Sequence, residues 1–555
     1  MKPTPRESIF LALLTIAFFV LAIMTYTSHG EDAFITFRYV RNFAHGHGLV
    51  FNAGERVEGY SNFLWLLLLT PAEWIGIRLH IAARLLSTAF LAALAIGGWC
   101  MARRIRGEQN SSIAAAWLAL AFLFEPLLNY HEGRGLETVS YIALQGLALF
   151  AIAGGASVWI AGLIGGAIVL SRPEGIAFAL ALAPAVYFRA TRDKQPAILA
   201  ALAYAAIPIG CFILDTLARK FYYGEWVPNT MIAKRHGHDL KAGLWQPISY
   251  FLTRGGVPVI AAAIGILSAL RSQRYRPLAV GALCLAIAST AFQISAGAIP
   301  NEGFRYLMPV VLPQVVGIWL LLAQYADSPP RSPWLLNIAG AVALAANMTL
   351  LFSTAQFHGR PVLIGDGNAP LSRLHSRLAQ ASSYNIGERL HYWQMDPVFI
   401  NADAGNWVRE NLPPTATLAG DQMGQFGFYA GENQTIIDLI GLMDRNVARY
   451  GPTVEYLRER HPDYIVVETC MDSEYWPHAL RLQPDVAAIR ELFAREEFRV
   501  LYRPRWFLVW RWSKAQLGFM VYIRNEIDDK KPLENIPVGV GDAEFERAWR
   551  VLGSE

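Results

Sequence analysis

The chain has 555 residues, of which 54% are hydrophobic and 17% charged, and its mean hydropathy is +0.28; a soluble globular chain carries about 25% charged residues. The net charge of +4 is too small to argue for nucleic acid, and four cysteines without a CxxC pair exclude a disulfide framework and a cysteine metal site. Eleven apolar runs follow in chain order, at 9–27, 82–102, 112–129, 137–154, 157–171, 174–189, 196–217, 252–270, 277–296, 306–325 and 333–353. Each is about long enough to cross a ~30 Å hydrocarbon core. The first run follows Lys2 and Arg6 and has no small-x-small site before the next acids, so it reads as an uncleaved span rather than a signal peptide. Residues 62–79 contain Pro71, Glu73 and Arg78 and read as a helix at the membrane interface, with tryptophans at headgroup level.

Lys and Arg concentrate at 1–6, 102–106, 189–194 and 271–276, which share one side if the N-terminus is cytoplasmic. The loops at 28–81, 130–136, 218–251 and 297–305 then face the extracytoplasmic side. This divides the chain into a polytopic α-helical membrane domain, 1–353, and an extracytoplasmic α/β domain, 354–555. In the second part, 402–412 and 454–461 have helical periodicity, while 415–421, 434–442 and 463–468 are β-prone. Residues 498–512 alternate like a hairpin, and the charged tail after Ser513 reads as loosely ordered.

The polar chemistry gathers in the outer loops. Glu31 and Asp32 stand together after the first span. A carboxylate there can take a proton from an attacking hydroxyl, or hold a divalent cation against a phosphate leaving group. The bland alternative is a helix-end acid, with Asp32 or Ser28 capping 33–44, a segment that puts Phe34, Arg38 and Arg41 on one face. The glycine-rich stretch 45–62 carries His45, His47, Glu55, Arg56, Glu58, Tyr60 and Asn62 and can wrap a polar ligand. Its H-x-H lacks a third metal ligand at a defined spacing. Residues 130–137 bring His131, Glu132, Arg134 and Glu137 to the outer surface, and Arg172 and Glu174 sit between two short spans. Charges at that depth are costly, so Arg172 is expected to pair with Glu174 or Glu137, or to serve a pathway. Asn229, Lys234, Arg235 and His236 are candidates to receive a lipid-linked phosphate. The alternative is an interfacial aromatic belt with snorkelling bases. Arg305, beside Glu302 and Tyr306, is a second phosphate candidate. The glycine-rich run 419–431 lacks GxGxxG and reads as a structural turn.

The run EDAFITFRYVRNFAHGHGLVFNAGERVEGYSNFLW, 31–65, resembles the first extracytoplasmic loop of GT-C glycosyltransferases related to the mycobacterial terminal arabinofuranosyltransferase family. That loop typically reads DDAFI-x-x-RYARN…GHGLVFNPGERVEGYT…LW. Similar stretches follow at 135–137 (GLE), 171–175 (SRPEG), 222–234 (YYGEWVPNTMIAK), 305–309 (RYLMP) and 420–444. The resemblance implies a GT-C fold, a polyprenyl-phosphate-linked sugar donor and a catalytic acid in this loop. Here glutamate replaces the first of the family's two aspartates, which favours Asp32 over Glu31, and Ala53 replaces a proline.

The expected enzyme moves a sugar, such as arabinofuranose, to a hydroxyl of an extracytoplasmic glycan or glycoprotein at the inner (cytoplasmic) membrane. Lys234 and Arg305, with Asn229 and Arg38 or Arg41, would bind the departing phosphate. Glu58, Tyr60, Asn62, His131, Glu137, Arg172 and Glu174 would surround sugar or acceptor. No cofactor is required, and a divalent cation is compatible. The alternative, a transporter or flippase of a lipid-linked substrate, calls for broken helices in two related halves, and the sequence offers one break, at 171–175.

Overall fold

The structure, a computed structural model, describes residues 30–107, 112–234, 240–253, 256–297, 305–327, 400–470, 484–510, 517–528, 531–532 and 534–538. The runs at 9–27 and 333–353, together with Arg235, His236 and Glu302, lie outside the described residues.

The first loop folds into α1, Ala33–Ala44, and a glycine-rich stretch that leads to α2, Phe63–Trp74. Helices α3 (Leu79–Arg106), α4 (Ser112–Leu123), α5 (Pro126–Glu132), α6 (Thr138–Gly154) and α7 (Val158–Ser171) follow. Then come α8 (Gly175–Leu180), α9 (Ala183–Arg192), α10 (Ala197–Tyr223), α11 (Asn229–Ala233), α12 (Leu240–Thr253), α13 (Val257–Ala269), α14 (Arg276–Ala296) and α15 (Val311–Asp327). Among the described residues, four helical stretches are long and apolar enough to cross a membrane: Leu79–Arg106, Ala197–Tyr223, Arg276–Ala296 and Met308–Asp327.

Among the described residues the count of eleven full spans is not confirmed, and three of the runs break for local reasons. The run at 112–129 breaks at Glu125, whose carboxylate accepts from the Leu127 N–H, and Pro126 starts the next helix because it needs no N–H partner there. The run at 174–189 breaks between Leu180 and Ala183, with a proline in the first turn of α9. Before α13, Gly256 takes φ +69°, a turn that favours glycine.

The three described basic segments meet at one end of the bundle. Arg274 Nε donates to the Ile105 carbonyl at 2.6 Å, Arg106 pairs with Asp327 at 3.1 Å, and the Arg276 guanidinium stands over the Phe188 ring. The first loop, Glu137, the Arg172–Glu174 turn, α11 and Arg305 lie at the opposite helix ends.

The C-terminal part begins with α16, Ile400–Asn411, and continues through β1 (Thr417–Gly420), α17 (Gln425–Tyr429), β2 (Thr435–Asp438), α18 (Arg445–Tyr450), α19 (Val454–Arg460) and β3 (Tyr464–Cys470). It ends with α20 (Pro484–Ala494), α21 (Glu496–Leu501), β4 (Tyr502–Trp510), β5 (Leu517–Arg524) and β6 (Glu534–Val538). The six strands form one mixed sheet in the order β2-β1-β3-β5-β4-β6. Strands β2, β1 and β3 are parallel, β5 is antiparallel to both β3 and β4, and β6 runs parallel to β4.

Two expectations are corrected here. The described part of 498–512 is not a hairpin: 498–501 is helical and Tyr502–Trp510 is one strand. Its partner is β5, from the tail that read as loosely ordered, and β5 sits inside the sheet between β3 and β4. The charges flanking β5 hid an apolar alternation that both neighbouring strands cover.

The first loop and the C-terminal sheet share one hydrophobic core. Phe34, Phe37 and Tyr39 of α1 are buried in the same cluster as Phe426, Leu418, Val466 and Phe519. Phe34 meets Phe428 edge to face, with ring centroids 5.5 Å apart, a geometry worth about 0.5–1.5 kcal/mol beyond the burial itself.

Candidate active site

Asp32 stands at the N-terminal end of α1 with its side chain 56% exposed. One turn later on the same helix face is Thr36, whose hydroxyl lies 3.2 Å from the Asn62 side chain. The Asn62 amide donates to Glu137 Oε2 at 2.8 Å. Glu137 is buried and accepts on its other oxygen from both Arg172 Nη1 and Arg305 Nη2, each at 3.1 Å. Arg172 Nε also donates to Glu174 at 2.5 Å, and its guanidinium packs over the Tyr306 ring. Lys234 Nζ donates to the Tyr306 hydroxyl at 3.3 Å. Arg305 closes the ring, with Nη1 3.5 Å from Asp32 Oδ2.

Six separated stretches of chain therefore converge on one polar cluster at the end of the bundle away from the basic segments. Glu137 fixes two guanidinium groups at once, with Glu174 and the more distant Asp32 as their further counter-charges. Asp32 is held only loosely and faces outward. The buried Arg305 Nε has no hydrogen-bond partner among the described residues. An exposed carboxylate beside a fixed guanidinium and an ammonium can take a proton while the cations receive developing negative charge.

The structure divides the adjacent acids. Glu31 turns away from the cluster, and its Oε1 accepts from the backbone N–H groups of Gly424 and Gln425 at 2.5 and 3.2 Å. A side chain at 424 would collide with the Glu31 carbonyl, so the glycine allows this approach. The run 419–431, which read as a plain turn, is thus the contact through which the sheet end meets the first loop. Only a glycine after a strand hinted at it. Thr36 was also passed over, although its spacing of four from Asp32 on a helix puts both on one face.

Burial, and then the neighbouring Asp32 charge, pushes the Glu31 carboxyl up to about 8. Burial likewise pushes Asp421 well above its ordinary value, with Glu468 as the next cause. An acid whose folded pKa lies above its unfolded value binds its proton more tightly when folded. Its contribution is complete below the ordinary value of 4.5 and is lost as pH rises through about 8. The thermal midpoint of the purified protein is therefore expected to fall as pH rises from about 5 to about 8. Glu31→Gln is expected to flatten that slope, and parallel slopes for the two proteins would refute this assignment.

Seven expected site residues lie outside the Asp32 cluster. Besides Glu31, Arg38 is fully buried, and its guanidinium donates to the carbonyls of Phe51, Gly427, Gly431 and Gln434. It ties α1 to the C-terminal part and has no direction left for a phosphate. Arg41 lies over the Phe428 ring and between Glu73 and Glu432. The Asn229 amide is spent on the carbonyls of Gly441, Leu442 and Asp444. Glu58 pairs with Arg219 at 2.6 Å and is pushed up to about 7 by burial. The Tyr60 hydroxyl lies 3.1 Å from that of Tyr223. His131 is buried against Tyr130, next to the Glu132–Arg84 pair.

Arg38→Met is expected to cost about 1–3 kcal/mol for each buried carbonyl left without a donor. Donor KM in the surviving folded fraction should be unchanged. A raised donor KM with normal stability would return Arg38 to the phosphate site.

Among the described residues, no group of three or more His, Cys, Asp or Glu side chains is placed to hold a metal ion. A profile described as a domain of unknown function, DUF8728, matches residues 388–523, the C-terminal part. The chain is 24% identical over 529 residues to a terminal β-(1→2)-arabinofuranosyltransferase of Mycobacterium tuberculosis, covering 79% of this chain and 82% of that one. It superposes on ArnT from Cupriavidus metallidurans, solved with undecaprenyl phosphate, at a TM-score of 0.52 and 16% identity, covering 94% of this chain and 98% of that one. The fold is that of a GT-C glycosyltransferase. The archaeal oligosaccharyltransferase AglB from Archaeoglobus fulgidus, solved with an inhibitory peptide and a dolichol-phosphate, is a further GT-C neighbour. Its TM-score is 0.52 at 13% identity, covering 93% of this chain and 74% of that one. The resemblance seen in 31–65 is borne out, and the chain is a multi-pass membrane protein.

Proposed function

We propose that this protein is a polyprenyl-phosphate-sugar-dependent glycosyltransferase that moves a pentofuranose, arabinofuranose first among the candidates, to a hydroxyl of an extracytoplasmic glycan or protein. The observation that carries the reading is the exposed Asp32 carboxylate beside Arg305, in a cluster completed by Glu137, Arg172 and Lys234. Asp32 takes the proton of the acceptor hydroxyl as its oxygen bonds to the anomeric carbon. The bond from that carbon to the phosphate oxygen breaks, and the lipid phosphate leaves toward Arg305 and Lys234. Glu137, Asn62, Arg172 and Glu174 hold these groups in place. The energy lies in the donor, so no nucleotide takes part. The arabinofuranosyl relative supports the sugar, and the two neighbours solved with polyprenyl phosphates support the donor class.

The basic end of the bundle then faces the cytoplasm, and the cluster with the C-terminal sheet faces outward at the inner membrane. The test is transfer of labelled arabinofuranose from a synthetic polyprenyl-phosphate donor to an arabinan oligosaccharide by the purified protein in detergent. No transfer with any such donor, together with movement of the intact lipid across proteoliposomes, would favour the transporter.

A further inference from the structure

A groove of about 920 Å³ lies where the first loop, the end of α10 and the C-terminal part meet, and the chemistry above does not use it. Its walls come from 54–57, 222–225 and 443–460. Four arginines and four carboxylates line it. They are largely spent on one another: Arg460 pairs with Glu55, and Arg449 and Arg445 both pair with Glu225. Arg56 lies over the Tyr222 ring, 4.8 Å from its centroid. A phosphate or a polyanion would find no surplus of positive charge here. Tyr450 stands on the wall 75% exposed, an aromatic ring open to solvent. Paired charges offering donors and acceptors, with an open ring between them, suit a neutral ligand with many hydroxyls and apolar C–H faces.

Two continuous segments lead from this groove to the Asp32 cluster. Val57 is on the groove wall, and Asn62 bonds Glu137; five residues of chain span at most about 18 Å. Tyr222 and Glu225 are on the wall, and the same stretch ends at Lys234, which bonds Tyr306. The wall at Val57 and the cluster at Asn62 are therefore within about 18 Å of each other, a distance a short oligosaccharide can bridge.

We propose that the groove is an acceptor subsite that binds a neutral oligosaccharide behind the reacting hydroxyl. This rests on the glycosyltransferase reading, and the experiment separates the two. The full-length protein in detergent is examined by saturation-transfer NMR with a linear arabinofuranosyl hexasaccharide whose hydroxyls at the transfer end are methylated. Binding is expected for the wild type and loss of binding for Tyr450→Ala combined with Arg56→Ala, two exposed positions whose replacement leaves the core untouched. In transfer assays, the same variant is expected to raise KM for an unblocked hexasaccharide about tenfold. Its kcat, its donor KM and its KM for a disaccharide acceptor should not move. The subsite is overturned if the wild type gives no saturation transfer, if the variant binds as the wild type does, or if a sulfated oligosaccharide binds more tightly than the neutral one. Failure of all sugar transfer would remove the enzymatic reading, while the NMR measurement would still decide whether the groove binds sugar.

Discussion

Asp32→Asn is expected to lower kcat for sugar transfer by roughly 10²–10⁴-fold, the usual contribution of a positioned general base. The amide keeps the shape and the hydrogen-bonding oxygen but cannot accept the acceptor's proton. The fold should survive, because the Asp32 side chain is 56% exposed and its ion pair with Arg305 is long at 3.5 Å. Donor KM should hold or fall slightly, since removing a negative charge beside Arg305 leaves the guanidinium freer for a phosphate. Glu31→Gln provides the contrast. That carboxyl is already pushed toward its protonated form, and an amide oxygen can still accept from Gly424 and Gln425. Its kcat is expected to stay within a few-fold of wild type. Steady-state assays of the two variants, with size-exclusion profiles as the folding control, decide the matter. Wild-type transfer by Asp32→Asn, or an equal loss in both variants, would remove Asp32 from the role of base.

The division between these two acids shows where sequence reasoning stopped. The helix of 33–44 was legible, because an apolar periodicity of 3.6 with acids at its start is a local pattern. Which acid faces the reacting cluster depends on Gly424, almost four hundred residues away, and no local signal encodes that contact. Arg38 failed for a related reason. On a helical wheel it looks like a cation offered to the outer face, yet the C-terminal part covers that face and takes both its terminal nitrogens, while Nε turns to Phe51 in the first loop. Arg172 succeeded because a charge between two short spans has few affordable fates, and pairing with Glu137 and Glu174 was the cheapest of them. Strand β5 was missed because the flanking charges were read as solvation, although the strand pairs on both sides.

Glu137→Ala is expected to be the most damaging single change to the cluster's architecture. The carboxylate is 1% exposed and accepts from Asn62, Arg172 and Arg305 at 2.8, 3.1 and 3.1 Å. Removing it leaves two buried guanidinium groups facing each other with only Glu174 and the distant Asp32 as counter-charges. Breaking a buried pair by deleting one partner typically costs about 3–5 kcal/mol. Transfer should fall with stability, because Arg305 loses the contact that aims it at Asp32. Thermal unfolding in detergent, followed by intrinsic fluorescence, reads the first effect, and the transfer assay reads the second. Glu137→Gln keeps an oxygen in place without the charge and should fall between alanine and wild type. A double-mutant cycle separates loss of the ion pairs from simple loss of packing. Adding Arg172→Met to Glu137→Ala removes one of the stranded charges, so the pair should be less destabilised than the sum of the two single changes. Strict additivity, or a Glu137→Ala protein as stable as wild type, would show that Glu137 does not bind the two arginines together, and the geometry proposed for phosphate departure would lose its anchor.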